Sequence, residues 1–214
     1  MITAEASERL AQALDGIEND PSALIARSNQ GMILRVRFDG MDLAVKTPTG
    51  RGPAWWLRQR ALVREYRAYQ RLSDLPGFAP CLGLVDDRYL VMAFVRGEPF
   101  RDARLEDREQ FFEQLLAIVQ AMHERGVAHG DLKRKANLMV DEHGQPMILD
   151  LGAAVVRKAG WRPLNHYLFD FLRQTDLNAW VKLKYGGYKD VAASDRAYLR
   201  RSRLERVLGR MRRS

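Results

Sequence analysis

The segment 129–153, HGDLKRKANLMVDEHGQPMILDLGA, constrains this chain more than any other part of it. Asp131 follows His-Gly, Asn137 lies six residues further on, and Asp150 directly follows the short apolar run Met147–Leu149. Carboxylate and amide oxygens are the ligands that hard cations such as Mg²⁺ prefer. A carboxylate held near a hydroxyl group can also accept its proton. The segment therefore offers two carboxylates and an amide, Asp131, Asp150 and Asn137, for binding a metal ion and for accepting a proton.

A lysine and a glutamate upstream form a second pattern. Lys46 ends the predicted strand Asp42–Lys46, and Glu65 follows 19 residues later inside a helical pattern. Glu65 is the only acidic residue between Gly50 and Ser73, a span rich in arginine. No basic residue lies four positions away from it, so an ordinary surface pair along the helix does not explain it. We therefore expect Lys46 and Glu65 to pair with each other.

The strand lysine, the helix glutamate, the segment from Asp131 to Asn137 and the later Asp150 occur in the order of the protein-kinase signature. The chain resembles this signature over roughly Ile25–Gly152. The resemblance implies an α+β, two-lobed protein-kinase-like fold with a small antiparallel-sheet N-lobe and a reduced helical C-lobe. It also implies ATP and Mg²⁺ as cofactors. Lys46 would bind the α- and β-phosphates and Lys133 the γ-phosphate, while Asp131 would orient the acceptor hydroxyl. The adenine is expected near Ala44 and the connection from Met92 to Val95.

Several features depart from that signature. Asn137 lies one residue later than the usual spacing from Asp131, and a bulge between them could absorb the extra residue. The phosphate-binding loop is expected to be poor in glycine, with only Gly31 between Ile25 and Leu34. No Ala-Pro-Glu follows Asp150, and the remaining tail is short. In this compactness the chain resembles the RIO-type atypical kinases and the lipopolysaccharide-core sugar kinases.

Periodicity predicts the elements around these residues. One domain spans 1–214, with an N-lobe over about 20–95, a C-lobe over about 96–214 and a boundary near Phe94–Gly97. Two or three helices are expected after Gly152. The predicted helices are Thr3–Ile17, Trp55–Leu72 and Leu105–Arg125, and the predicted strands are Ala23–Ala26, Met32–Phe38, Met41–Thr47, Cys81–Val85, Arg88–Phe94, Leu138–Val140 and Met147–Leu149.

Composition restricts the setting in which the chain works. A single cysteine, Cys81, excludes an internal disulfide and favours a reducing compartment. The N-terminus lacks the apolar run of a secretory signal, and no segment approaches the ~18 apolar residues of a membrane span. The chain is therefore expected to be cytoplasmic. Its formal net charge of +8 favours anionic partners.

Much of the basic charge lies near the C-terminus. Eight arginines fall between Arg196 and Arg213, beside an apolar stripe formed by Leu204, Val207, Leu208 and Met211. A basic amphipathic helix could lie on an anionic membrane surface, at the inner membrane face. It could equally dock on the core and leave its basic face in water.

Four functions compete. An active kinase explains all of the acidic and basic site residues, with the lysine of Asp-Leu-Lys favouring a protein serine or threonine as acceptor. The basic tail would also suit a glycolipid acceptor such as a lipopolysaccharide-core sugar. A pseudokinase, a binding module with little transfer, would explain the sparse glycines and the shifted Asn137. An aminoglycoside-phosphotransferase-like enzyme would need an acidic acceptor lobe, whereas this tail is basic. Nucleic-acid binding would explain the positive charge but none of the carboxylates. No nucleic-acid partner is therefore expected.

Overall fold

The computed structural model describes residues 4–17, 20–27 and 31–200. Its architecture is α+β: an antiparallel sheet with two helices forms the amino-terminal part, and two helices with two small sheets form the main elements of the carboxy-terminal part. This agrees with the predicted fold class. No helix within the described ranges is both long enough and apolar enough to cross a membrane.

Five antiparallel strands form the amino-terminal sheet, in the spatial order β1-β2-β3-β5-β4. The turns between β2 and β3 and between β4 and β5 both need positive φ angles, which Asp39-Gly40 and Asp86-Asp87 supply. Two helices, α1 and α2, accompany the sheet. The elements are α1 (Ala4–Leu14), β1 (Leu24–Arg27), β2 (Gly31–Phe38), β3 (Met41–Pro48), α2 (Gly52–Arg71), β4 (Cys81–Val85) and β5 (Tyr89–Ala93).

The carboxy-terminal part is built on two helices that pack against each other. Short strands form a three-stranded sheet, in the order β6-β8-β9, and a two-stranded pair of β7 with β10. The elements are β6 (Gly97–Pro99), α3 (Arg108–Glu124), β7 (Val127–Ala128), β8 (Leu138–Asp141), β9 (Pro146–Ile148), β10 (Val155–Val156) and α4 (Pro163–Tyr185).

Two apolar clusters hold these parts together. The smaller one lies between α1 and the sheet, where Leu10 and Leu14 are fully buried. The larger one runs from α2 through α3 to α4, so it continues across the whole carboxy-terminal part. Trp180 lies near its centre, 1% exposed, and its indole N–H donates to the Phe112 carbonyl at 2.7 Å. This bond satisfies the one polar group of a buried tryptophan.

The structure corrects several predicted boundaries. Helix α3 begins at Arg108 rather than Leu105, because the Asp107 carboxylate caps it by accepting from the Gln110 N–H at 2.9 Å. The two- and three-residue strands β6, β7 and β10 were not predicted, since such short runs carry no periodicity. After Gly152 the described residues contain a single α-helix, α4, and a 3₁₀ turn at Asp195–Tyr198. The rest of the predicted C-terminal basic helix, 201–213, lies outside the described residues.

The position of Trp180 yields a stability prediction. Trp180→Ala should lower the free energy of unfolding by about 3–5 kcal/mol, because it leaves a large cavity in the main apolar cluster. Trp161→Ala is the matched control, since Trp161 is 87% exposed and surface changes usually stay within about 0.5 kcal/mol. Urea titrations of both variants measure the difference. Equal midpoints would contradict the central place of Trp180.

Candidate active site

Lys46 joins three separate parts of the chain. Its ammonium group lies 2.9 and 2.8 Å from the two carboxylate oxygens of Glu65 and 2.7 Å from Oδ1 of Asp150. Lys46 lies in the buried part of β3, Glu65 lies on the buried face of α2, and Asp150 follows β9. Lys46 is 8% exposed and Glu65 3%, so this is an internal ion cluster rather than a surface pair. The expected pairing of Lys46 with Glu65 is therefore present.

The cluster shifts the acid–base behaviour of its members. Burial opposes the charge on Lys46, but the carboxylates of Glu65 and Asp150 outweigh it and raise the pKa of Lys46. Partial burial likewise opposes ionisation of Asp150, yet the Lys46 charge and hydrogen bond lower its pKa. Burial raises the pKa of Glu65, and the nearby negative charge of Asp150 raises it further. The positive charge of Lys46 lowers the pKa of Glu65 but does not outweigh burial. The arrangement keeps Lys46 cationic and Asp150 anionic, the states needed to bind phosphate and metal.

A buried carboxylate on α4 fixes the loop that carries Asp131. Asp176 is fully buried and accepts from the backbone N–H groups of His129, at 2.7 Å, and Gly130, at 2.9 Å. Its Oδ2 atom also lies 3.1 Å from the ring Nε2 of His123. The side chain thus satisfies two loop donors that would otherwise be buried without partners. The sequence analysis missed Asp176, although an acid on the apolar face of a helix, seven residues after Phe169, is a usable signal.

His129 supports the same loop from the other side. Its ring is fully buried, with Nε2 2.9 Å from the Leu149 carbonyl and Nδ1 accepting from the Asp131 N–H at 3.2 Å. A ring protonated only at Nε2 satisfies both contacts. His129 therefore ties the Asp131 loop to the end of β9.

Gly130 must be a glycine for two reasons. Its φ is +79°, and a Cβ atom there would lie 3.1 Å from the Ala153 carbonyl oxygen and 3.2 Å from a methyl group of Leu172. This close approach lets the loop pack on α4, where Asp176 reaches its N–H groups. Close packing against Ala153 and Leu172 therefore explains why the residue between His129 and Asp131 is a glycine.

The extra residue between Asp131 and Asn137 is taken up by two successive turns. The Arg134 N–H donates to the Asp131 carbonyl at 3.2 Å, and the Asn137 N–H donates to the Arg134 carbonyl at 2.9 Å. The Asn137 side chain is buried, and its Nδ2 donates to the Asp131 carbonyl at 3.0 Å. The backbone N–H of Leu149, next to Asp150, donates to the Asn137 carbonyl at 2.9 Å. The later position of Asn137 therefore does not remove it from the neighbourhood of Asp131 and Asp150.

Asp150 has an unusual backbone conformation. It is left-handed, with φ 60° and ψ 78°, and its side chain accepts from the Gly152 N–H at 3.2 Å. Aspartate tolerates this region better than most residues because its side chain can hydrogen-bond locally. The carboxylate is 41% exposed, so part of it remains accessible. Unfavourable backbone conformations of this kind cluster at residues that bind ligands.

The donor set of this region fits magnesium. Asp150 and Asn137 offer oxygen ligands, and Mg²⁺ typically takes one or two protein carboxylates together with water and substrate phosphates. Within the described part of the chain, no three His, Cys, Asp or Glu side chains come together as a metal cluster. Asp150 and Asn137 would supply only part of a Mg²⁺ coordination shell, and the remaining ligands would have to come from water or phosphate oxygens.

Three other predicted site residues lie on inner strands of the amino-terminal sheet. Ala44 of β3 pairs directly with Met92 of β5, and Val95 follows in the connection to β6. Gly31 begins β2, and a Cβ atom there would lie 2.4 Å from the Thr47 carbonyl oxygen. Gly31 therefore has a packing reason to be glycine. Residues 28–30 of the predicted phosphate-binding loop lie outside the described residues.

The remaining catalytic candidates are accessible. Lys133 is exposed, and the Asp131 side chain is 25% exposed with Arg134 at 3.5 Å. Two surface cavities of about 510 and 710 Å³ lie elsewhere, one between α3 and α4 and the other beside β6 and β8. Neither is lined by Lys46, Asp131 or Asp150. The candidate site is therefore defined by its side-chain chemistry rather than by either of these cavities.

Comparison with known proteins identifies the class. Residues 41–168, more than half of the chain, match the family described as protein kinase domain. The chain therefore belongs to the protein kinase domain family. The matched region contains Lys46, Glu65, Asp131, Asn137 and Asp150.

Individual relatives agree with this assignment. The putative cyclin-dependent kinase F-2 of Oryza sativa subsp. japonica is 31% identical over 156 residues, which cover 61% of this chain and 45% of that protein. CBL-interacting protein kinase 19 of the same organism is 43% identical over 74 residues, covering 32% and 14%. The serine/threonine-protein kinase grp of Drosophila melanogaster is 40% identical over 63 residues, covering 29% and 12%. The chain thus spans less than half the length of each of these relatives.

The anchoring role of Asp176 can be tested by stability. Asp176→Ala leaves two buried loop N–H groups without their acceptor, and each such loss costs ~1–3 kcal/mol. We expect the free energy of unfolding to fall by about 2–6 kcal/mol on that basis. Asp170→Ala on the same helix is the matched control, because Asp170 is exposed. If chemical denaturation shows equal losses for both variants, Asp176 does not hold the loop.

Proposed function

We propose that the protein transfers the γ-phosphate of ATP, with Mg²⁺, to the hydroxyl group of a protein serine or threonine. The observation that carries this proposal is the buried Lys46 held between Glu65 and Asp150, at 2.7–2.9 Å from their oxygens. A buried cation beside a partly exposed carboxylate offers phosphate binding and metal binding at adjacent points. Asp131, near this pair, supplies the group that acts on an acceptor.

Each residue has a distinct part in the proposed reaction. Lys46 binds the α- and β-phosphates, and Glu65 holds Lys46 in position. Asp150 and Asn137 would hold Mg²⁺, which would supply positive charge against the phosphate oxygens. Asp131 accepts the proton of the acceptor hydroxyl, and the exposed Lys133 stabilises charge on the transferred phosphoryl group. Ala44, Met92 and Val95 contact the adenine, and the chain near Gly31 covers the phosphates.

A protein acceptor is favoured by the relatives. All three relatives described above carry kinase names, and grp is named as a serine/threonine-protein kinase. The resemblance to RIO-type kinases and to lipopolysaccharide-core sugar kinases stays a prediction, since none of these three relatives carries such a name. A glycolipid acceptor has no support from the relatives and serves as an outcome of the acceptor experiment. A cytoplasmic location, where ATP is available, accompanies the proposal.

Nucleotide binding separates the roles of the two aspartates. Asp150→Ala should abolish the Mg²⁺-dependent part of the thermal stabilisation by ATP, because it removes a charged metal ligand. Asp131→Ala should keep that stabilisation and lower turnover by about 10²–10⁴-fold, since general bases contribute that much. Lys46→Met should weaken stabilisation by ATP with or without Mg²⁺. Thermal-shift titrations and turnover at saturating ATP measure these effects.

The exposed acid Glu113 on α3 provides a matched control. Glu113→Ala should leave both nucleotide stabilisation and turnover unchanged. If Asp131→Ala lost ATP affinity but kept turnover at saturation, the two aspartates would have been assigned the wrong roles.

One labelling experiment identifies the acceptor and tests the pseudokinase alternative. The full chain is incubated with labelled ATP and Mg²⁺, in parallel with itself alone, a cell lysate and a lipid extract. We expect label on protein serine or threonine, and none with Asp131→Ala. Label confined to lipid would move the acceptor to a glycolipid. ATP binding without any transfer would favour a pseudokinase.

A further inference from the structure

Three consecutive basic residues lie in the loop that carries Asp131. Lys133, Arg134 and Lys135 are all exposed, and no acidic residue occurs between Asp131 and Asp141. Within the described part of the chain, the one ion pair that any of the three makes joins Arg134 to Asp131. We call these three residues the basic triplet. Its positive charge is therefore concentrated beside the proposed catalytic base and is not balanced by acids of the same loop.

The backbone that carries the basic triplet is fixed. The Arg134 N–H donates to the Asp131 carbonyl at 3.2 Å, and the Asn137 N–H donates to the Arg134 carbonyl at 2.9 Å. Leu132, directly before the triplet, is 1% exposed and belongs to the main apolar cluster. The basic side chains thus extend into water from a turn that is held on both sides.

The contact between Arg134 and Asp131 leaves Arg134 available to another anion. Its Nη1 atom lies 3.5 Å from Oδ2 of Asp131, and the Arg134 side chain is 67% exposed. An exposed ion pair at this distance contributes little, because water screens both charges. A carboxylate on a bound acceptor can instead accept two parallel hydrogen bonds from the guanidinium group. Binding of such an acceptor would also free Asp131 for its hydroxyl group.

The position of the base determines what comes near these charges. An acceptor in the proposed reaction places its hydroxyl group at Asp131, which accepts the proton. In an extended peptide, a residue up to three positions from the acceptor lies within about 11 Å of it. Arg134 already reaches Asp131, and Lys135 is the next residue of the same loop. The residues that flank the acceptor therefore come within range of two positive charges.

We propose that Arg134 and Lys135 select a serine or threonine that is flanked by acidic side chains. The inference rests on the proposed function, since it names the acceptor of that same reaction. In the transfer, the acceptor oxygen forms a bond to the γ-phosphorus while the bond from that phosphorus to the β–γ bridging oxygen breaks, with ADP as the leaving group. The hydroxyl proton passes to Asp131. Lys133 is engaged with the γ-phosphate, so Arg134 and Lys135 are the cations of the triplet that remain for the acceptor.

A peptide-library assay with the full chain, labelled ATP and Mg²⁺ tests this specificity. Each peptide carries one serine or threonine, and the neighbouring positions are made acidic, neutral or basic in turn. Acidic neighbours should raise kcat/KM by about tenfold over neutral ones, the size expected of a few exposed ion pairs. The difference should lie in KM rather than in kcat, and it should shrink as salt rises because the charges are screened.

Three double variants assign the preference to these two residues. Arg134→Gln with Lys135→Gln removes both charges and should abolish the preference for acidic neighbours. Arg134→Glu with Lys135→Glu should favour basic neighbours instead. Arg134→Lys with Lys135→Arg keeps both charges and should keep the preference, which separates the effect of charge from that of loop structure.

The matched control is Arg64→Gln with Arg67→Gln, which removes two exposed arginines from α2. This variant should have the same peptide preference and the same basal activity as the wild type. Thermal stabilisation by ATP with Mg²⁺ shows that each variant is folded and still binds nucleotide.

Three outcomes would count against the inference. Equal labelling of acidic and neutral peptides by the wild type would overturn it and leave the proposed function intact. An acidic preference that persists in the Arg134→Gln, Lys135→Gln variant would assign the specificity to another surface. No label in any peptide, with nucleotide binding intact, would contradict a protein acceptor altogether, and the inference would fall with the proposed function.

Discussion

The cost of burying the Lys46 ammonium group organises the amino-terminal part of this protein. A charge removed from water needs oppositely charged partners in good geometry. Lys46 finds them on α2 and after β9, at 2.8 Å from Glu65 and 2.7 Å from Asp150. The sheet, α2 and the segment after β9 must therefore keep a fixed relation to one another. The same requirement places a cation and an accessible carboxylate side by side.

Asp176 has the corresponding role in the carboxy-terminal part. One buried carboxylate accepts from two successive N–H groups of the loop that carries Asp131. The loop has no regular structure of its own, so its conformation depends on these bonds, on the His129 ring and on the close packing that Gly130 permits. A flexible segment is in this way held as firmly as the helix behind it.

Helix α4 presents two different faces. One face packs on α3 and holds the Asp131 loop through Asp176, whereas Leu164, Tyr167, Leu168 and Phe171 on another face are exposed in the described part of the chain. The helix therefore links the main apolar cluster to the candidate active site.

The sequence by itself determined the elements with strong local signals and the identities of the charged site residues. Hairpin turns at Asp39-Gly40 and Asp86-Asp87, the alternating strands and the odd glutamate of α2 are local patterns, so they were predictable within a few residues. Tertiary structure alone decided the rest. Asp176 meets His129 and Gly130 across more than 40 residues, and strands as short as β7 and β10 exist only because distant partners pair with them. The turns that take up the extra residue before Asn137 are local, but the place of Asn137 beside Asp150 depends on the long-range bond from the Leu149 N–H to the Asn137 carbonyl. The sequence names the groups that carry the chemistry, whereas long-range packing decides which of them meet, because burial supplies the free energy that fixes a loop in one conformation.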